Sequence, residues 1–479
     1  MRNKDWFLAV VYGLMIPAVL VSLESVGLKW LVLGLSSLMF FFVAVFVKEM
    51  EKSLLLLLAL SLCVNLDVNF FISYHFLKLN TLSAGFSLGM ADVLLVLLYA
   101  LWIYRSIEEP QRIDLRLLCF LGVYLVFFLL MMLSIVNSED VLLSFYELKK
   151  RVLPLFAILY IGVNVRTPGL VKKIIGMIFL GMAISSLVGI LQYSMGKNFG
   201  LSIFGEADEI FEQSVVGSSE IIRRVSGLMP HSNIFGMYLA FTLPIAFSLT
   251  FADIEKHFKY FSFVVSLLGS LALLLTFSRA AIMAFVFGMF IFLLVKNRNL
   301  FHRCNNKICL MYGVLTGGIL FVFWNKLIER FSGSPASNLS FRFFLNEAAF
   351  KMIDRHPWLG IGLNNFSIQL PFYDTRGITA VSRFPVHNLY LLIASETGLV
   401  SLAVFLLFVM SIICIGISIY RRSPDPFLKS FSLGTICGIV AVLLDEMMDF
   451  SFVVQPVYLL FFTICALLLA IRFHLPGKL

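Results

Sequence analysis

Long apolar runs separated by short polar breaks recur along almost the whole chain. A run of roughly 18 or more apolar residues is long enough to cross the hydrocarbon core of a bilayer as a helix. Taken in order, the runs predict about fourteen spans. They cover 6–22, 30–47, 53–74, 89–104, 117–135, 152–165, 174–193, 232–251, 261–277, 280–295, 308–324, 387–419, 430–449 and 453–471. The segment 387–419 is too long for one straight crossing, so part of it is expected to be interfacial or tilted. One long polar interruption, 325–386, breaks the pattern.

Composition strengthens this picture. Of the 479 residues, 60% are hydrophobic and only 14% charged, and the mean hydropathy is +0.95. A soluble domain carries about a quarter charged residues, so the fold class is an all-α polytopic membrane protein. The net charge of +9 is not a nucleic-acid signal, because Lys and Arg fall mainly in short loops, where they set topology. Placing Lys48, Lys52, Arg105, Arg112, Arg116, Arg166, Lys172, Lys173, Arg298, Arg303, Arg421 and Arg422 inside puts both termini in the cytoplasm and 325–386 outside. The basic start Arg2–Lys4 and the apolar run after it read as an uncleaved first helix. No disulfide framework is expected from the seven cysteines. Cys304 and Cys309 lack two further ligands at metal spacing. No repeat and no HExxH, GxSxG or Walker pattern appears.

The outer face then collects the candidate chemistry. Arg279 sits between two apolar runs with Ser278 beside it. Such an arginine either snorkels to headgroups or marks an anionic partner. Arg223 and Arg224 precede a shaped turn through Gly227, Pro230 and Asn233, and only one of the pair is expected to face a site. His387 opens the stretch His387-Asn388-Leu389-Tyr390-Leu391 and can exchange a proton near neutral pH, or can simply cap a helix at the rim. Glu396 lies about 13 Å further along any common helix and cannot pair with it. Asp445, Glu446 and Asp449 form an acidic cluster that suits a cation, an arginine of the long loop or a solvated rim. Asp67, between Asn65 and Asn69, has no visible partner. Arginines with one histidine suit a diphosphate substrate, since arginine contacts phosphate bidentately and can neutralise a leaving diphosphate without a metal.

The order of these elements resembles the bacterial O-antigen ligase and O-antigen polymerase family. It is carried by Arg224 with Gly227 and Asn233, then Ser278-Arg279-Ala280, then Arg342 followed by Met352-Ile353-Asp354-Arg355-His356-Pro357-Trp358-Leu359-Gly360-Ile361-Gly362, then His387-Asn388-Leu389-Tyr390-Leu391 with Glu396-Thr397-Gly398. The resemblance covers 224–400 and implies a lipid-linked glycosyltransferase-like (GT-C type) bundle with a large periplasmic loop over an outer-face site. It divides the chain into N-terminal helices 1–193, a core 194–420 and C-terminal helices 421–479. The implied reaction moves a glycan from undecaprenyl diphosphate to an acceptor hydroxyl, either another glycan or lipid A–core, in the bacterial inner membrane. No metal or other cofactor and no nucleic acid is implied. Arg224, Arg279 and Arg342 would hold the diphosphate, with Arg383 able to replace Arg342. His387 would activate or orient the acceptor, and Asn388, Glu396 and Asn233 would support it. Fourteen spans exceed the twelve of a typical ligase. The competing class is a lipid-linked oligosaccharide flippase, which should show two related halves and broken helices at midplane.

Overall fold

A computed structural model describes residues 50–71, 81–110, 113–209, 211–214, 221–296, 336–374 and 383–474, together with Gly318, Ile328, Gly377 and Thr379. The expected spans 6–22 and 30–47, and all of 308–324 except Gly318, lie outside the described residues, as do His75, Arg376, Cys304 and Cys309. Fourteen α-helices are present among the described residues. Nine of them are long and apolar enough to cross a membrane.

In chain order the elements begin with α1 (Met50–Ser61), the hairpin β1 (Asp67–Phe70) and β2 (Phe86–Gly89), α2 (Met90–Glu108) and α3 (Leu115–Ser134). Next come α4 (Val141–Asn164), α5 (Pro168–Met195), a second hairpin of β3 (Phe211–Ser214) and β4 (Ile221–Arg224), α6 (Ser232–Thr250), α7 (Lys256–Leu275) and α8 (Arg279–Lys296). The long polar segment contributes α9 (Ala336–Arg355) and the short α10 (Phe366–Gln369). The chain closes with α11 (Leu389–Thr397), α12 (Leu399–Arg422), α13 (Pro426–Asp445) and α14 (Gln455–His474).

Three sequence expectations need correcting. The run 53–74 is not one span, because α1 ends at Ser61 and 67–70 pair as a strand with 86–89. Asn65 and Asp67 stop the helix there, as both residues favour turns over helix interiors. The segment 152–165 belongs to the longer α4, whose first half carries Glu147, Lys149, Lys150 and Arg151. That half tolerates burial because Arg151 is paired with Glu147 and lies over the Tyr458 ring at 4.3 Å. Ser83 adds a hydroxyl at 2.5 Å to the same carboxylate, so neither charge is left alone in an apolar surrounding. The acidic residues 445, 446 and 449 do not form a solvated rim: all three are buried.

The core forms around α14, of whose membrane-length window 94% is buried, with α6 at 83% and α13 at 78%. Helices apolar on every side belong inside a bundle. α13 packs most extensively on α6, and Gly434 and Gly438 make that approach possible. A Cβ on Gly434 would lie 2.6 Å from the Ile245 Cα, and one on Gly438 would lie 2.3 Å from the Phe241 carbonyl oxygen. Without a hydrophobic drive between helices in lipid, such small-residue contacts set the packing.

The long polar segment has its own apolar core. Phe344, Leu345, Ala348 and Met352 of α9 close with Ile361, Phe366, Leu370, Val386 and Leu392. This fixes α9 against α11. The long apolar segment from 387 resolves into two helices, α11 and α12, broken at Gly398. Gly398 has φ 89°, and a Cβ there would lie 2.0 Å from the Trp358 carbonyl oxygen. Only glycine accommodates both the backbone angle and the approach.

Candidate active site

The site lies where the ends of α6, α8, α11 and α13 meet. On the α8 side, β4 alternates its side chains, so adjacent arginines diverge. Arg223 is exposed and its guanidinium sits by Gly196 at the end of α5. Arg224 is buried and donates through Nε to the Thr276 carbonyl at 2.9 Å. That carbonyl belongs to a tight turn in which Phe277 takes φ 48° while fully buried. A bulky residue in this left-handed region is strained and persists only where its surroundings over-determine it. Here the turn is held by Arg224 below and by the Val225 N–H donating to the Leu275 carbonyl at 3.2 Å. Its product is the position of Arg279, the first residue of α8. A positive side chain at a helix N-terminus is unfavourable on its own, because the amide dipoles there are positive too. Arg279 and Arg342 of α9 also stand close enough for their charges to repel. Two guanidinium groups and a helix N-terminus converge as an anion site does.

On the other side, Asn388 caps α11 by accepting the Leu391 N–H at 3.0 Å and donates to the Met447 carbonyl at 3.0 Å. The Leu389 N–H reaches the Glu446 carbonyl at 2.9 Å. These bonds press the start of α11 against the acidic end of α13 and put His387 beside Asp449. The Nδ1 atom of His387 lies 3.6 Å from Asp449 Oδ1, a charge contact just longer than a hydrogen bond. The His387 ring rests on Phe450, with centroids 5.0 Å apart.

Asp449 is anchored from two further directions. Its Oδ2 accepts from Asn233 Nδ2 at 2.8 Å, and its Oδ1 accepts from the Phe450 N–H at 2.8 Å. The Oδ1 of Asn233 in turn accepts from Arg224. A continuous chain therefore runs from Arg224 through Asn233 and Asp449 to His387. Burial raises the Asp449 carboxyl, but His387, the Phe450 N–H and the charge of Arg342 outweigh it and hold the group below the usual carboxylate range. Glu446 goes the other way. Burial, then Asp445 and Asp449 beside it, push it well above that range. Environment splits like carboxylates into one charged and one neutral member, so Asp449 is the ionised partner of His387. His231, at the start of α6, accepts the Asn233 N–H on Nδ1 at 3.0 Å. Burial and then the charge of Arg224 pull its pKa down to about 4.

Glu396 stands apart from His387, as its spacing predicts. It is buried, and its two oxygens accept the Asn364 N–H at 2.9 Å and the Phe366 N–H at 3.1 Å. Burial dominates and raises its pKa to about 8 despite these bonds. It clamps the turn Gly360–Phe366. Asn364 accepts the Leu82 N–H at 2.8 Å, and Asn365 accepts the Asp140 N–H at 2.8 Å. The same turn is thereby tied to the residues preceding β2 and to the start of α4. Arg383 donates to the Thr379 carbonyl at 3.3 Å, within its own loop. Among the described residues no three His, Cys, Asp or Glu side chains are arranged to hold a metal ion.

The structure thus brings together Arg224, Asn233, Arg279, Arg342, His387 and Asn388. It assigns Glu396 to the support of the loop, and it adds Asp449 and His231. The acidic cluster was visible in sequence as a possible partner for an arginine; its pairing with His387 depends on a fold that joins the starts of α6 and α11 to the end of α13. Comparison with curated proteins gives no match. Residues 264–406 match the family model described as O-antigen ligase. The matched stretch runs from within α7 into α12 and carries Arg279, Arg342, Arg383, His387 and Glu396, while Arg224, Asn233 and Asp449 lie outside it. Over this one continuous stretch, which holds Arg279, Arg342 and His387, the chain is similar to the O-antigen ligase family.

Proposed function

We propose that this protein transfers a glycan from a lipid diphosphate, undecaprenyl diphosphate in a bacterial inner membrane, to an acceptor hydroxyl at the outer membrane face. The observation that carries this reading is the juxtaposition of Arg279 and Arg342 with the His387–Asp449 pair. Two neighbouring guanidinium groups suit a diphosphate, whose oxygens can take bidentate contacts from both. In this scheme His387 uses Nε2 to take the proton of the acceptor hydroxyl. The acceptor oxygen attacks the anomeric carbon, and the bond from that carbon to the diphosphate oxygen breaks. The electron pair leaves with the lipid diphosphate, whose charge Arg279 and Arg342 balance. Asp449 keeps the Nδ1–H tautomer of His387 and stabilises the imidazolium that forms. Arg224 braces the Phe277 turn and Asn233 rather than working alone.

The reading is tested with full-length protein in vesicles, a lipid diphosphate-linked glycan and candidate acceptors, with and without EDTA. A ladder of lengths from repeat units alone identifies a polymerase. A single shift of lipid A–core identifies a ligase. Loss of product in EDTA alone would end the metal-free scheme. Absence of product with every acceptor, together with movement of the lipid-linked glycan across the vesicle, would overturn the reading in favour of a flippase.

A further inference from the structure

A polar groove of about 870 Å³ opens beside the candidate active site. That is within the usual range for a site holding a sizeable small molecule, about 300–1,000 Å³. Its walls come from β1 and the residue pair before it, from the segment before β3, from α4 and from the start of α14. Asn65, Asp67, Asn69, Glu209, Lys150 and Gln455 line it. Phe450 and Pro230 also line it. Phe450 is the residue on which the His387 ring rests, and Pro230 adjoins His231. The groove therefore shares Phe450 with the His387 side of the site.

Gln455 is the informative residue. It is only 6% exposed, and neither its Oε1 nor its Nε2 makes a hydrogen bond. A buried amide left without partners is costly, and native structures rarely leave one so. The small cavity on its other side, about 20 Å³, has room for a single water. One water satisfies only part of an amide that offers two donors and two acceptor positions. Gln455 also lines the groove, where a ligand hydroxyl that both gives and accepts would meet the remaining capacity.

The charge of the lining narrows the class. Among the described residues that line it, Asp67, Glu206, Asp208 and Glu209 outnumber Lys150, so a phosphorylated or acidic saccharide is repelled while hydroxyl and amide groups are well served. An exposed Asn69 and the amide of Asn65 extend the same chemistry along the wall.

We infer that this groove is the acceptor subsite and that it takes an uncharged, hydroxyl-rich oligosaccharide, delivering one of its hydroxyls to His387. The inference rests on the transfer reading for its direction, and favours growth of an uncharged glycan over attachment to a phosphorylated core. The test uses the full chain in nanodiscs and, as probe, the host's own repeat-unit oligosaccharide, released from its lipid and dephosphorylated. Saturation-transfer NMR should show contact with the wild type and with His387→Ala, and loss of contact in Gln455→Leu. The acceptor KM of Gln455→Leu should rise roughly tenfold with kcat little changed, as for losing one or two hydrogen bonds. Asn69→Ala, at an exposed strand position, should weaken contact in the same direction and covers the case in which Gln455→Leu fails to fold. Binding unchanged in both variants, or a phosphorylated core saccharide competing equally well, would overturn the assignment. A wild type that makes no product yet binds the oligosaccharide through Gln455 would uphold the subsite while sinking the transfer reading.

Discussion

The sharpest test of the proton-transfer pair is Asp449→Asn. The substitution keeps the shape and removes the charge, so packing against Asn233 and Phe450 is the least disturbed of any change at this position. It should still act in two ways. An amide nitrogen at either side-chain position opposes an existing donor, either Asn233 Nδ2 or the Phe450 N–H. More important, the imidazolium formed in the reaction loses a carboxylate 3.6 Å away. At an effective dielectric near 20, unit charges about 4 Å apart attract by about 4 kcal/mol. His387 is 24% exposed at its side chain, so part of this is screened, and about 3 kcal/mol is a sound working figure. At about 1.4 kcal/mol per factor of ten, kcat should fall on the order of a hundredfold. The assay is initial-rate glycan transfer at saturating donor and acceptor, with donor binding measured separately and expected to hold. A well-folded Asp449→Asn with kcat within about threefold of wild type would refute the pairing, because the carboxylate would then contribute almost nothing to the reaction step.

Three further outcomes follow from the same geometry. Arg279→Ala and Arg342→Ala should each lower affinity for the lipid diphosphate at least roughly tenfold, consistent with loss of a charge-assisted contact, whereas Arg223→Ala, with its guanidinium at the end of α5, should change it little; equal losses in all three would remove the arginine assignment. Glu396 gives a pH test: its folded pKa of about 8 lies above the ordinary value, so its stabilising contribution is full below about pH 4.5 and is lost as pH rises through about 8. Melting temperature in detergent should fall across that window, and a flat profile would contradict a neutral Glu396. Gly398→Ala must place a Cβ 2.0 Å from the Trp358 carbonyl at φ 89°, which adds clash to a backbone strain of roughly 1–3 kcal/mol. Reduced yield and a lowered melting temperature are expected, and wild-type stability would show that the break between α11 and α12 can relax.

Much of the architecture was legible because apolar run length is a strong signal: the helices at 232–250, 279–296 and 426–445 lie within a few residues of the runs that predict them. What escaped has particular causes. The charges at 147–151 read as loop, yet they sit in α4, because Glu147 and Arg151 neutralise one another four residues apart. Residues 67–70 read as the end of a span, since a short buried strand and a helical stretch share the same apolar content. In the site, Arg279 was conspicuous as a charge between two apolar runs, and the divergence of Arg223 from Arg224 follows from strand alternation. The role of Asp449 was not legible. Its meaning depends on a contact with His387 that only the packing of α11 against the end of α13 creates.

The glycine turn at 360–362 and the break at Gly398 have a consequence for how this protein could diversify. A Cβ on Gly360 would lie 2.3 Å from Glu396, so the strut bearing Arg342 is seated directly on the one bearing His387, with no slack between them. The two behave as a single casting, and the span from Arg342 to His387 is preset. The groove walls come from elsewhere in the chain, from β1, from the segment before β3 and from α14. On the proposed reading, recognition of the sugar and the act of transfer would then lie on largely separate parts that meet at Phe450. A lineage that uses the groove as proposed would then change its glycan by altering 65–69 and 208–209 while the chemical step stays in gauge.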